Sequence, residues 1–133
     1  MLAMGIDIGG SGIKGAIVDT ASGTLVSERI RIPTPDDAEG DVLVGILHDL
    51  LGQFEWTGGP VGIGFPGVIR KNVIHTAANL HDGLVGLNLA EALKSQLDGP
   101  VRVINDADAA GYAEMRYGEG LPHATEGTVL LLT

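Results

Sequence analysis

The sequence contains no cysteine, so disulfides, thiolate metal sites and cysteine nucleophiles are excluded within its 133 residues. It has no apolar run near the ~18 residues that a membrane-spanning helix needs. Its first residues enter an apolar strand pattern at once, without the basic and hydrophobic segments of an export signal. These absences fit a reducing compartment, and we expect a cytoplasmic protein with no membrane partner.

Basic residues are scarce, since eight lysines and arginines stand against seventeen aspartates and glutamates, for a net charge of −9. The sequence shows no basic cluster that would neutralise a run of phosphates, which argues against a nucleic-acid partner. A small anionic ligand would need local backbone N–H groups, a metal ion or one well-placed lysine. With 44% hydrophobic residues, the chain suits one globular domain with a core of its own.

Apolar segments alternate with turn signals and predict an α/β domain with a mixed sheet. Two strands at 2–8 and 13–19 flank a Gly-rich turn, and 24–32 adds a third antiparallel strand. A helix opens at 36–37 and continues to Phe54. The second half predicts a strand at 61–65, a small hairpin at 68–75, a helix capped by Asn88 and stopped by Gly99-Pro100, a strand at 101–104 and a helix at 106–117.

The last apolar segment, 128–132, predicts a strand with no helix after it. We therefore assign 1–127 to one lobe and 128–133 to the first strand of a second lobe. An uncovered apolar strand favours self-association, and we expect a homodimer.

The glycines after the first strand match a nucleotide-binding pattern whose context is wrong. Gly10, Gly12 and Gly15 satisfy G-x-G-x-x-G, but that fingerprint requires a helix next, and the following segment has the composition of a strand. The Walker pattern is excluded because no Gly-Lys-Ser/Thr follows. Two interpretations remain: an ordinary Gly-rich turn, or a loop whose N–H groups converge on an anion between Asp7 and Lys14.

Two carboxylates stand out by their positions. Asp7 lies between two isoleucines of a strand, where a carboxylate is costly unless a metal ion, water or donors meet it. Asp106 lies where a strand ends and a helix begins, the usual ligand position in an open α/β sheet. There it is free to accept a proton from a substrate hydroxyl, whereas we interpret Asp108 as part of the helix cap.

Other polar positions are less specific. Gly64-Phe65-Pro66-Gly67 also follows a strand, so we expect three loops to share one sheet edge. Asn79 suits either a loop-stabilising bond or a bond to a ligand hydroxyl. The four histidines show no paired metal spacing.

Four motifs, in the right order and spacing, make the chain resemble the ROK family of sugar kinases. The likeness covers essentially the whole chain and is to the polyphosphate glucokinase branch, although the tryptophan usual just after the third motif in that branch is absent. The motifs are Asp7-Ile8-Gly9-Gly10-Ser11-Gly12-Ile13-Lys14-Gly15, Phe65-Pro66-Gly67, Ala78-Asn79-Leu80 and Asn105-Asp106-Ala107-Asp108-Ala109-Ala110.

The resemblance implies a ribonuclease-H-like lobe (βββαβαβα) of the actin-like ATPase fold. It implies a kinase of carbohydrate metabolism that transfers a phosphoryl group from polyphosphate or ATP to the 6-hydroxyl of glucose or a similar hexose, with Mg²⁺. Asp106 corresponds to the catalytic base, and Gly67, Asn79 and Asn105 to the sugar site around it. The first phosphate loop corresponds to Asp7, Gly9, Gly10, Ser11, Gly12 and Lys14, with Asp7 acting through Mg²⁺.

In the family, a second phosphate loop and further sugar ligands follow this region, and so does a structural zinc motif where one is present. We therefore expect the 133-residue chain alone to be inactive. Two other functions suit the same lobe: the sugar-sensing domain of a ROK-type transcriptional regulator, which follows a helix-turn-helix, or a truncated binding module. The first strand directly follows Met1, which favours the kinase over the regulator.

Overall fold

The computed structural model describes residues 1–77 and 80–118. They form a mixed six-stranded sheet flanked by helices and a small separate hairpin, which confirms the α/β class. The strands are β1 (Leu2–Ile8), β2 (Gly12–Asp19), β3 (Thr24–Leu25), β4 (Ile30–Pro33), β5 (Val61–Phe65), β6 (Ile69–Arg70), β7 (Val73–Ile74) and β8 (Val101–Asn105). The helices are α1 (Gly40–Gln53), α2 (Leu89–Leu93) and α3 (Asp106–Tyr117), with a 3₁₀ turn at Asp82–Leu84.

The sheet has the strand order β3-β2-β1-β5-β8, and β4 also pairs with β2. β1 and β2 are antiparallel because the short Gly-rich loop joins them directly. β5 is parallel to β1, and β8 is parallel to β5, because the chain crosses over through helices between these strands. The carboxyl ends of β1, β5 and β8 therefore lie side by side.

The hydrophobic core lies on one face of the sheet. Strand alternation directs Met4, Ile6 and Ile8 of β1 toward that face, where each is at most 4% exposed. α1 covers it with Leu43, Leu47, Leu50 and Leu51, the buried stripe of an amphipathic helix. α3 borders the opposite face and buries none of its residues. No helix within the described residues is long and apolar enough to cross a membrane.

The predicted single strand at 24–32 is wrong, because the chain pairs with β2 in two separate registers. Val18 of β2 lies opposite Leu25, but Gly15 lies opposite Ile30, so the partner segment runs two residues further than β2. The hydroxyl of Ser27 accepts the N–H of Ile17 at 2.8 Å, where a strand would supply a backbone carbonyl. A side chain thus closes the gap between β3 and β4.

The first two predicted helices are confirmed in place but differ in length. α1 begins at Gly40 instead of 36–37, because the chain first turns, with Glu39 N–H donating to Asp37 O at 2.7 Å. Asn88 caps α2 as predicted, accepting from Glu91 N–H at 3.0 Å. α2 nevertheless ends at Leu93, well before Gly99-Pro100, in turns with bonds such as Gln96 N–H to Leu93 O.

The bounds of α3 match the prediction. The predicted last strand at 128–133 lies outside the described residues, and so does Asn79. Both stay predictions, as does the division of the chain at 127.

Candidate active site

Three predicted loops do follow strands that end at one edge of the sheet. In the sheet register, Asp7 of β1 lies opposite Gly64 of β5, and Gly64 lies opposite Ile104 of β8. Phe65 lies opposite Asn105, directly before Asp106. The polar residues after these strands are therefore brought together, as expected for the ligand-binding edge of an open α/β sheet.

Asp7 and Asp106 both lie beside Gly64. A Cβ placed on Gly64 would lie 3.6 Å from Asp7 Oδ1 and 3.7 Å from Asp106 Cβ. The absence of a side chain at this position leaves the space between the two acids open. Because both residues line one groove, their carboxylates can serve one reacting group, one as a proton acceptor and the other toward a cation.

Asp7 reaches this space because it points away from the hydrophobic core. Its side chain is exposed, while the adjacent Ile6 and Ile8 point to the core on the other face of the sheet. The expected cost of a carboxylate between two isoleucines is therefore not present, because strand alternation separates them. Contact with water is one of the conditions under which the sequence analysis allowed a carboxylate at this position.

An open groove of about 960 Å³ runs along the sheet face that carries Asp7. Lys14 of β2 lies directly opposite Asp7 in the register and shares that face. The groove continues to the first turns of α3. Its lining includes Asp7, Lys14, Gly64, Asp106, Ala107 and Ala110.

Asn105 joins the edge of the sheet to the next loop. Its Oδ1 accepts from the N–H groups of Ala107 at 2.9 Å and Asp108 at 3.2 Å, which caps α3. Its Nδ2 donates to the carbonyl of Gly67 at 2.8 Å. These bonds leave one Nδ2 hydrogen for a ligand.

Gly67 is required by close packing. A Cβ at this position would overlap the carbonyl oxygen of Thr76 in the following loop. Only glycine allows the two backbones to approach so closely. This close packing and the bond to Asn105 together fix the Gly67 backbone at the sheet edge that carries Asp7 and Asp106.

Asp106 and Asp108 have different surroundings despite their spacing. Asp106 is half-buried at the start of α3, and its Oδ1 accepts from Ala107 N–H at 2.8 Å. Asp108 is exposed in the first turn, and its backbone N–H is bound by the Asn105 cap. Only Asp106 lines the groove.

The glycine loop, defined here as residues 9–12, has free donors at its tip. Gly9 N–H donates to Gly12 O at 2.9 Å, which closes the turn. Among the described residues, the N–H groups of Gly10 and Ser11 have no acceptor. Both residues are exposed, so these donors are available to an anion.

The site residues fit Mg²⁺ in the way usual for phosphate chemistry. Residues 1–77 and 80–118 contain no group of three or more side chains that could hold a metal ion by themselves. Mg²⁺ commonly uses one or two carboxylates and completes its shell with water and substrate phosphates. Asp7 is paired with Gly64 on the neighbouring strand and lies two residues before the glycine loop, so it is suited to be such a carboxylate.

Comparison with known proteins identifies the family. The model of the ROK family matches residues 3–132. The chain belongs to the ROK family. Its predicted fold, a lobe of the actin-like ATPase type, is confirmed by the solved ROK sugar kinases that it resembles.

ROK relatives resemble the chain over nearly its whole length. It is 43% identical over 130 residues to a polyphosphate glucokinase of Mycobacterium tuberculosis, covering 97% of this chain and 48% of that protein. An inorganic polyphosphate/ATP-glucomannokinase from Arthrobacter superposes with a TM-score of 0.80 at 43% identity, over 88% of this chain and 49% of that one. A ROK family glucokinase from Streptomyces griseus, solved with glucose and AMPPNP, superposes with a TM-score of 0.79 at 28% identity. The match covers 92% of this chain and 39% of that one.

This chain thus spans about half the length of the mycobacterial relative.

Two residues that contact the glycine loop, Arg31 and Thr34, were missed by the sequence analysis. The sequence analysis predicted one strand at 24–32, and nothing in that pattern showed that this segment reaches the loop.

Proposed function

We propose that the protein containing this chain is a hexose kinase that transfers a phosphoryl group from polyphosphate or ATP to the 6-hydroxyl of glucose. The observation that supports this most is that two acidic residues, Asp7 and Asp106, line one groove on either side of Gly64, next to the glycine loop with its open N–H groups. One carboxylate suits the acceptor hydroxyl and the other suits the phosphate end of the donor. Relatives named for this activity are 43% identical.

Asp106 is proposed as the general base. As the sugar oxygen attacks the terminal phosphorus, the O–H proton passes to the Asp106 carboxylate, a new O–P bond forms and the P–O bond to the rest of the donor breaks. The leaving phosphate chain keeps the electron pair of the broken bond. Half-burial at the start of α3 holds the carboxylate at the groove without enclosing it.

The sugar site is proposed to include Asn105, Asn79 and the Gly67 backbone. The remaining Nδ2 hydrogen of Asn105 suits a sugar hydroxyl, and its other bonds fix the direction of the amide. Such pre-set orientation is a large part of what positions a hydroxyl for attack.

The donor site is proposed to include Asp7, Lys14 and the glycine loop. Lys14 and the Gly10 and Ser11 N–H groups would bind donor phosphates, and Asp7 would hold Mg²⁺. When bound, Mg²⁺ neutralises charge on the phosphates.

A donor comparison tests this function. The full-length protein is assayed with glucose and Mg²⁺, and glucose 6-phosphate formation is measured with polyphosphate and with ATP as separate donors. We expect turnover with polyphosphate, with or without ATP as a second donor. Turnover with ATP alone would restrict the protein to an ordinary glucokinase. Glucose binding without transfer from either donor would contradict the kinase and favour a sugar-sensing domain.

A further inference from the structure

β4 and the residue that follows it hold the glycine loop from the side. Thr34 Oγ1 donates to the carbonyl of Gly9 at 2.7 Å. Arg31 Nη2 donates to the carbonyl of Ser11 at 2.8 Å, and the Thr34 N–H reaches the same oxygen at 3.3 Å. The carbonyl of Gly12 is bound within the loop by Gly9 N–H. The carbonyls of Gly9, Ser11 and Gly12 are thus all bound to protein donors.

In this arrangement, three carbonyls of the loop are bound by protein donors, while two of its N–H groups have no acceptor. Carbonyl oxygens carry partial negative charge and would repel a phosphate, whereas N–H groups attract it. With the carbonyls of Gly9 and Ser11 held by β4 residues, the acceptorless N–H groups of Gly10 and Ser11 are left for a ligand. The Gly10 N–H belongs to the same peptide as the Gly9 carbonyl, so rotation of that peptide would first have to break the Thr34 bond. The Ser11 N–H belongs to the next peptide, which lies between this held peptide and the one whose Ser11 carbonyl is bound by Arg31.

Arg31 also packs directly on the loop. A Cβ added to Gly12 would lie between 2.5 and 2.7 Å from three atoms of the guanidinium. The planar guanidinium therefore lies over the backbone that it binds, which a flexible ammonium would not reproduce. In the sheet register, Asp7, Lys14 and Arg31 lie opposite one another on three adjacent strands.

We propose that Arg31 and Thr34 are positioning residues that hold the glycine loop in its donor-binding form, so that its N–H groups face the phosphates of a polyphosphate or nucleoside triphosphate. The inference rests on the proposed function and adds to it a pair of residues outside the loop. Both act through backbone carbonyls and not through contact with the reacting atoms. Their loss should therefore weaken donor binding and leave sugar binding intact.

The test uses the full-length protein with isosteric or length-matched changes. Thr34→Val removes the hydroxyl, Thr34→Ser keeps it, and Arg31→Met removes the guanidinium while keeping the stem. We expect Thr34→Val and Arg31→Met each to raise the donor KM by about 10-fold, the usual effect of leaving a carbonyl without its bond. The KM for glucose should not change, and Thr34→Ser should retain the wild-type donor KM.

Arg70→Met is the matched control for loss of one positive charge. Arg70 is exposed in the small hairpin, does not line the groove and, among the described contacts, makes no hydrogen bond to the loop. Its substitution should leave the donor KM unchanged. An equal rise in the donor KM with Arg70→Met and Arg31→Met would mean that net charge alone matters, and would overturn the role of Arg31.

Calorimetric binding of inorganic tripolyphosphate separates failure of this inference from failure of the proposed function. An active wild type with an unchanged donor KM in Thr34→Val overturns the inference alone. A wild type that transfers no phosphoryl group contradicts the proposed function, but weaker tripolyphosphate binding by Thr34→Val than by wild type would still support the inference. Absence of binding by wild type overturns both. Thermal unfolding of each variant shows whether a changed constant reflects lost structure, and Arg31, which is exposed, provides a variant expected to fold.

Discussion

Asp106 and Asp108 are two acids on the same helical turn, yet only Asp106 lines the groove. Asp106 is half-buried and lines the groove beside Gly64, whereas Asp108 is exposed beside the helix cap. A proton acceptor must lie within hydrogen-bond reach of the attacking hydroxyl. The two residues therefore provide a matched pair for testing which carboxylate acts as the base.

In the full-length protein, Asp106→Asn should lower kcat by about 10²- to 10⁴-fold with little change in the KM for glucose, because an amide cannot take the proton. The asparagine oxygen can still accept from Ala107 N–H, so the start of α3 should stay intact. Steady-state kinetics at saturating donor measure the effect. Asp108→Asn serves as the control and should keep the wild-type kcat. A near-normal rate in Asp106→Asn would exclude it as the base and make Asp108 the next candidate.

At the scale of single residues, the sequence indicated which acidic residues lie at the site better than it indicated which residues contact them or the glycine loop. Asp7 and Asp106 were selected because each interrupts or ends a strand, and the fold does bring them to one edge. Arg31 and Thr34 were not selected, because their role depends on how β4 pairs with β2. The register of that pairing is offset by two residues from the pairing of β3, and the Ser27 hydroxyl bridges the offset, which alternation of residue types does not encode.

α3 and the loop after β5 are joined through one side chain. Asn105 caps the helix with Oδ1 and binds the Gly67 carbonyl with Nδ2. Asn88 caps α2 in a similar way, accepting from Glu91 N–H, but α2 has none of the proposed catalytic residues. Comparing substitutions at the two caps therefore distinguishes the loss of a helix cap from damage to the proposed site.

Asn105→Ala and Asn88→Ala should each lower stability by about 0.5–2 kcal/mol, the usual cost of losing a cap. Only Asn105→Ala should also raise the KM for glucose, because it releases the Gly67 loop and removes the free amide hydrogen. Thermal unfolding and glucose kinetics on the full-length protein measure the two effects. An unchanged glucose KM in Asn105→Ala would limit Asn105 to helix capping.

At the scale of elements, strong periodicity predicted which segments are helices and strands. Several predicted boundaries were wrong, because the residues that mark the ends of elements give weaker signals. The four buried leucines of α1 made that helix visible in the sequence. Its start was misplaced because Asp36 and Asp37 have the composition of a cap but lie in a turn that precedes Glu39. Capping residues also favour turns, so their presence alone does not fix a boundary.

The whole molecule has a core on one side of its sheet. The face against α1 and α2 holds the buried apolar side chains, while α3, on the groove face, buries no residue. Small residues such as Gly5, Gly62 and Ala16 form much of the floor of that groove. The described part of the chain therefore has a well-packed side and a second side with little cover.

This asymmetry leads to a prediction for the 133-residue chain expressed alone. It spans about half the length of its mycobacterial relative, and phosphoryl transfer depends on positioning and charge stabilisation around the whole transferred group. We expect a folded chain without measurable kinase turnover, since α1 and the sheet supply a core but one half of a cleft excludes little water. The thinly covered groove face, with the predicted apolar strand at 128–132, should favour self-association into a homodimer. Sedimentation and a coupled glucose assay test both points, and a strictly monomeric chain that phosphorylates glucose would contradict them.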